Sequence, residues 1–200
     1  MNKLLYPKLA WQNLRKNGKF YFPYLLTCIG TIALFYILGF ITFHPGLDSV
    51  PGTEIMMFIL NLGMIVVGIF AAIFLYYTNS FLMKRRQKEL GLFHILGMEK
   101  RHLCRVMLYE TFFIALASLL LGVGCGLLFS KLILLLLCKL TGLSTAFTFF
   151  VSIRSITITI AVFGVIFLLI LASNLLKIRK SNPMELLHGG NVGEKEPKTN

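Results

Sequence analysis

Four apolar runs, at about 21–43, 55–83, 107–138 and 155–176, leave this chain of 200 residues few ways to fold. At about 1.5 Å of rise per residue, each is long enough to cross a hydrocarbon layer about 30 Å thick. Composition agrees: 56% of the residues are hydrophobic and only 14% are charged, so the solvent to consider is lipid. The first run follows a basic, Trp-containing segment of twenty residues and is too long for the apolar core of a signal peptide. It is expected to remain as a span. Residues Ser152–Thr159 alternate Ser and Thr with β-branched residues, but they continue into an apolar stretch and read as the start of the fourth span. The fold class expected is an all-α membrane protein with four transmembrane helices.

The net charge of +12 does not point to nucleic acid, because the charges are segregated. Seventeen of the 20 Lys and Arg fall in three segments: Lys3 to Lys19, Lys84 to Arg105, and Lys177 to Lys198. Between the first two lies a connector, His44–Glu54, with no Lys or Arg and with Asp48 and Glu54. The positive-inside rule places the three basic segments, and therefore both termini, in the cytoplasm and the acidic connector outside. The second outer connector, near Lys139–Arg154, is less clean but still poorer in basic residues than its neighbours. The basic excess serves orientation and lipid headgroups. Cys28, Cys104, Cys125 and Cys138 have no paired spacing and read as small packing residues rather than a disulfide or zinc framework.

Residues 1–20 mix Leu4, Leu5, Leu9, Trp11 and Leu14 with basic and amide groups, as an interfacial amphipathic helix does; Trp11, Arg15 and Lys16 are its anchors at headgroup level. Asn17-Gly18 reads as a break, and Pro23 as part of the first turn of the first span. His44-Pro-Gly and Pro51-Gly52 bracket a tight outer link with no room for a folded domain. The second run exceeds what a bilayer needs, and its continuation through Leu96 keeps Leu90, Phe93 and Leu96 apolar beside Lys84, Arg85, Arg86 and Lys88. That pattern predicts a cytoplasmic helix continuous with the span, a turn capped by Gly97, and a new helix from about Glu99. Gly122, Gly124 and Gly126 lie near the middle of the third span, where small residues permit close helix contact. After the fourth span, Ser181 or Asn182 is suited to cap a short helix with Pro183 and Glu185 in its first turn, and residues 181–200 read as a cytoplasmic tail or linker. The tail stops as though a longer chain continued.

Charges inside spans are functional candidates. Glu110 lies a few residues past Arg105, where it is placed to pair with Arg105 or Arg86; Lys131 is far enough along the same helix to snorkel to the outer headgroups. Asn61 and Asn174 are expected to bond neighbouring helices. His94 and His102 have no metal-binding spacing, so no metal or cofactor is expected. The sequence holds no G-x-S-x-G and no GxxxxGK[ST] phosphate loop. The chain is expected not to be an enzyme; any ATP that drives it is hydrolysed by another subunit.

Four segments, in order, carry a family resemblance. Leu9-Ala-Trp-Gln-Asn-Leu-Arg-Lys16 looks like an "A-x-x-N-L-R" approach to the membrane. Arg86-Gln-Lys-Glu89-Leu-Gly91, running on to Gly97, is similar to an "R-x-x-E-x-G-x-x-x-x-x-G" signature. Met107–Glu110 supplies the carboxylate that opens the following span, and Asn182-Pro-Met-Glu-Leu-Leu187 matches a "P-x-E-x-L" tail. Together they resemble the FtsX-like permeases of bacterial ABC transporters, and the short outer link is similar to the N-terminal four-span part of the bacitracin-export type. The resemblance covers about the first third of such permeases.

The resemblance implies a multi-pass permease subunit, or an N-terminal piece of one, in the plasma membrane of a Gram-positive bacterium. It implies residues 21–180 as the transmembrane domain and 84–106 as the segment coupled to a separate ABC ATPase subunit. It also implies protection against, or export of, cell-wall-directed peptide antibiotics. A sensor histidine kinase and a second permease half or second copy are the other partners it suggests. The alternative is a non-transporting regulator that relays ATPase-driven movement to a kinase or a cell-wall hydrolase. Arg86, Glu89, Gly91, Gly97 and Glu110 are the coupling candidates.

Overall fold

A computed structural model describes residues 5–44, 52–95, 100–141 and 151–180. Within them the chain is α1 (Leu5–Lys16), α2 (Gly18–Thr42), α3 (Thr53–Ile95), α4 (Lys100–Thr141) and α5 (Ile153–Lys180), with no strand among the described residues. Helices α2 to α5 each have the length and hydropathy to cross a membrane. Residues 45–51 and 142–150, most of the two connectors expected on the outer side, lie outside the described residues, as do the turn at Gly97 and Glu99 and the tail from Ser181.

The expected break at Asn17-Gly18 is a junction between helices: the Asn17 amide donates to the Asn13 carbonyl, and the Asn17 carbonyl accepts from Phe20 and Tyr21. Because α2 therefore begins at Gly18, Pro23 sits inside the helix, one turn later than the sequence suggested. Its ring removes one ladder hydrogen bond; the Pro23 carbonyl itself accepts the Thr27 hydroxyl at 2.8 Å. The second span continues without a break past Lys84, Arg85 and Arg86 as far as Ile95, so that α3 runs for 43 residues, about 65 Å.

Helix α2 is the centre of the bundle. Half of its most apolar stretch is buried, against 17% for α3 and 22% for α4. Tyr24, Cys28, Ile32 and Phe35 of α2 form one core with Ala71 and Leu75 of α3, Ile114 of α4 and Phe163, Ile166 and Ile170 of α5. Phe35 and Phe163 meet edge to face, with centroids 5.6 Å apart. The outward sides of α3, α4 and α5 carry exposed Ile, Leu and Phe throughout, the surface expected where lipid is the solvent.

In lipid the tightness of helix contact must come from shape. Gly122 and Gly126, four apart on α4, supply it: a Cβ on Gly122 would lie 2.7 Å from Ile32 Cβ, and one on Gly126 2.7 Å from Tyr36 Cδ1. Gly124 has nothing within 4 Å of a Cβ and takes no part in that contact. Asn61 is also placed otherwise than the sequence suggested: it is exposed, and its amide donates to the Met57 carbonyl of its own helix at 2.8 Å. Lys131 is exposed on α4.

Candidate functional site

Burial recurs along the inner side of α3 at Ala71, Leu75, Asn79, Leu82 and Arg86, a step of three or four residues. Along α4 it recurs at Leu103, Met107, Glu110, Ile114 and Ser118. Arg86 and Glu110 thus occupy core positions of their helices. Of the three consecutive cations at the end of the second span, Lys84 and Arg85 are exposed and only Arg86 is turned inward.

The two meet as an ion pair with side-chain exposures of 3% and 4%. Arg86 Nη1 donates to Glu110 Oε2 at 2.5 Å, and Nη2 to Oε1 at 3.2 Å, a two-pronged grip. Asn13 Nδ2 of α1 donates to Oε1 at 3.0 Å, and the Tyr21 hydroxyl of α2 donates to Oε2 at 3.0 Å. Tyr21 in turn accepts from Arg86 Nη1, whose guanidinium lies 5.1 Å from the centre of the Tyr21 ring. The four acceptor positions of the carboxylate are filled. That completeness matters, because removing two charges from water costs several kcal/mol per ion unless each is paired and hydrogen-bonded.

One residue from each of α1, α2 and α3 therefore closes on the single carboxylate of α4. Three of the segments that carry the family resemblance converge here, through Asn13, Arg86 and Glu110. Tyr21 and Asn13 were not among the sequence candidates for coupling. Tyr21 opens the buried series Tyr21, Tyr24, Cys28, Ile32 on α2, and Asn13 is the amide of the "A-x-x-N-L-R" segment. A lone polar residue at a stripe position was the signal available for both.

A cavity of about 20 Å³, the volume of about one water, adjoins Glu110 and Tyr21 and reaches Asn79 and Asn174. These two amides exchange hydrogen bonds across α3 and α5 at 2.9 and 3.3 Å, so Asn174 bonds a neighbouring helix as the sequence suggested. Asn79→Leu alone is expected to lower stability by about 0.6–1.7 kcal/mol, the range for one interhelical polar contact in lipid. Asn79→Leu with Asn174→Leu should recover most of it, since neither amide is then left unpaired. Thermal unfolding in detergent reads both.

The other candidates lie around this centre. Trp11 is exposed and meets Phe113 of α4 edge to face at 6.2 Å, and Arg15 and Lys16 are exposed at the end of α1. The inner side of α1, Tyr6 and Ala10, packs on Val106, so α1 lies against the first turns of α4. Glu89 and Gly91 belong to the last turns of α3, where the backbone alone is described; Gly97 is outside the described residues.

Residues 61–183, which include Arg86 and Glu110, match the family described as FtsX-like permease C-terminal. The chain is 30% identical over 193 residues to the ABC transporter permease YvcS of Bacillus subtilis, covering 96% of this chain and 29% of that protein. It is 32% identical over 180 residues to the bacitracin export permease protein BceB of Halalkalibacterium halodurans, covering 90% of this chain and 28% of that one. With BceB of Bacillus subtilis it shares 30% identity over 179 residues, 90% of this chain and 28% of the relative. The chain spans less than a third of the length of these relatives.

Proposed function

This chain belongs to the FtsX-like permease family of multi-pass bacterial plasma-membrane proteins, and from that premise we propose that it transmits ATP-driven movement from a separate ABC ATPase subunit into its own spans. The work done is export of, or protection of the target of, cell-wall-directed peptide antibiotics. The bacitracin export relatives support that substrate class. The orientation rests on the basic segments: α1, the α3–α4 turn and the end of α5 face the cytoplasm.

The observation that carries the reading is the closure of α1 to α4 on Glu110. Helix α3 continues about 14 Å past Arg86 to Ile95, beyond any need of the bilayer. Force applied to that extension, through the segment 84–106 with Glu89, Gly91 and Gly97, meets the ion pair first. Because Arg86 holds α4 through Glu110, and Glu110 holds α1 and α2 through Asn13 and Tyr21, the helices move as a set. A sensor histidine kinase and a second permease half or copy are further partners of this reading.

Co-purification with the ATPase tests it. Glu89→Lys and Gly97→Pro are each expected to abolish permease-stimulated ATP turnover while the membrane domain stays folded; full coupling in both variants sinks the assignment. Cys104, at the start of α4, should react with an impermeant thiol reagent only from the cytoplasmic side.

A further inference from the structure

The start of α4 and the end of α5 enclose a cleft of about 470 Å³, within the range of about 300–1,000 Å³ typical of ligand sites. Its rim is Lys100, Arg101 and Arg105 from α4 and Arg179 from α5; Cys104, Leu108 and Leu175 line the rest. Lys100 Nζ donates to the Arg179 carbonyl at 3.4 Å, tying the two helices together across the mouth. Arg105 is braced over the Tyr6 ring, 5.5 Å from its centre.

We infer that this cleft binds the phosphodiester headgroup of an anionic membrane phospholipid. Arg101, Arg105 and Arg179 converge on the cleft beside Lys100, and an anion seated among the guanidinium groups would relieve their mutual repulsion. The arrangement along the helix axes selects an amphiphile. Leu108 lies one turn beyond Arg105 on α4, and Leu175 one turn before Arg179 on α5, so both antiparallel helices pass from cation to leucine on moving into the span. A soluble anion would use the rim alone. A phospholipid places its phosphate at the rim and its first acyl carbons against Leu108 and Leu175, as basic pockets between cytoplasmic helix ends do elsewhere.

Such a lipid would bridge α4 and α5 beside the segment on which the ATPase is proposed to act. The inference rests on the membrane placement of these helices and not on the coupling. The exposed cations Arg101 and Arg179 can be changed without touching the buried pair.

Cys104 is a reporter already in the cleft. The chain is placed in nanodiscs of phosphatidylcholine, or of phosphatidylcholine and phosphatidylglycerol in equal parts, and alkylation of Cys104 by uncharged N-ethylmaleimide is followed by peptide mass spectrometry. Phosphatidylglycerol is expected to slow the reaction several-fold, and Arg101→Gln with Arg179→Gln to restore the phosphatidylcholine rate. That double variant feels the same membrane surface potential, so restoration assigns the protection to the cleft. With the loss of two near-surface cations, apparent affinity for phosphatidylglycerol should fall about tenfold or more. Equal rates in the two membranes, protection that survives the double variant, or equal protection by inorganic phosphate in phosphatidylcholine would each overturn the proposal. No ATPase enters the measurement, so this result and that of the coupling test fail independently.

Discussion

Glu110→Ala is expected to lower the stability of the bundle by about 3–5 kcal/mol, the usual cost of stranding one member of a buried ion pair, and to abolish the proposed ATPase coupling. The loss is large because three donors turned toward one carboxylate, from Arg86, Tyr21 and Asn13, are left facing each other without their shared acceptor. Arg86→Ala should cost a similar amount, since it leaves the carboxylate itself buried without its counter-charge. Thermal unfolding in detergent measures both. The informative variant is the double change Arg86→Met with Glu110→Met, which replaces the pair by apolar side chains that fit the surrounding core. It should regain most of the lost stability and none of the coupling, because methionines pack without gripping. Return of stimulated ATP turnover together with stability would show the pair to be a structural feature only.

The second large effect is steric. Gly122→Ala is expected to destabilise by about 1–3 kcal/mol, and Gly126→Leu by more, because the added carbons overpack the contact between α2 and α4. At Gly122 the obstacles are the branched Ile32 side chain and the Ile29 carbonyl, 3.3 Å from an added Cβ, so the helix itself must shift. Gly124→Ala is the control. With open space around it, that change should be neutral or stabilising by up to about 1 kcal/mol from helix propensity alone. Equal losses at all three positions would mean that the glycines act through flexibility rather than through close approach.

The spans were legible because lipid imposes a single rule: a long apolar run must be helical, and runs of this length cannot hide in a small core. Positions facing inward were less legible. Apolar residues lie on every side of these helices, so the hydrophobic pattern that marks the inner face of a soluble helix is nearly flat here. The polar exceptions carry that information instead. Arg86 and Glu110 were legible as charges beside or within spans, and they lie at stripe positions with Asn79 and Met107. Tyr21 was hidden because an aromatic at a span boundary reads equally as a headgroup anchor, and Asn13 because an amide in a basic amphipathic helix reads as solvated. Pro23 was placed one turn early since nothing in Asn17-Gly18 distinguishes a full break from a junction that lets α2 begin at once.

The unbroken run of α3 has a mechanical meaning if the grip at Arg86 is its fulcrum. From Arg86 the helix extends nine residues to Ile95 and 33 residues to Thr53, arms of about 14 Å and about 50 Å. For a stiff rod pivoting there, each ångström of sideways travel at the inner end becomes roughly four at the outer end. The gearing exchanges force for reach: a short stroke below the membrane becomes a wide swing at its far surface.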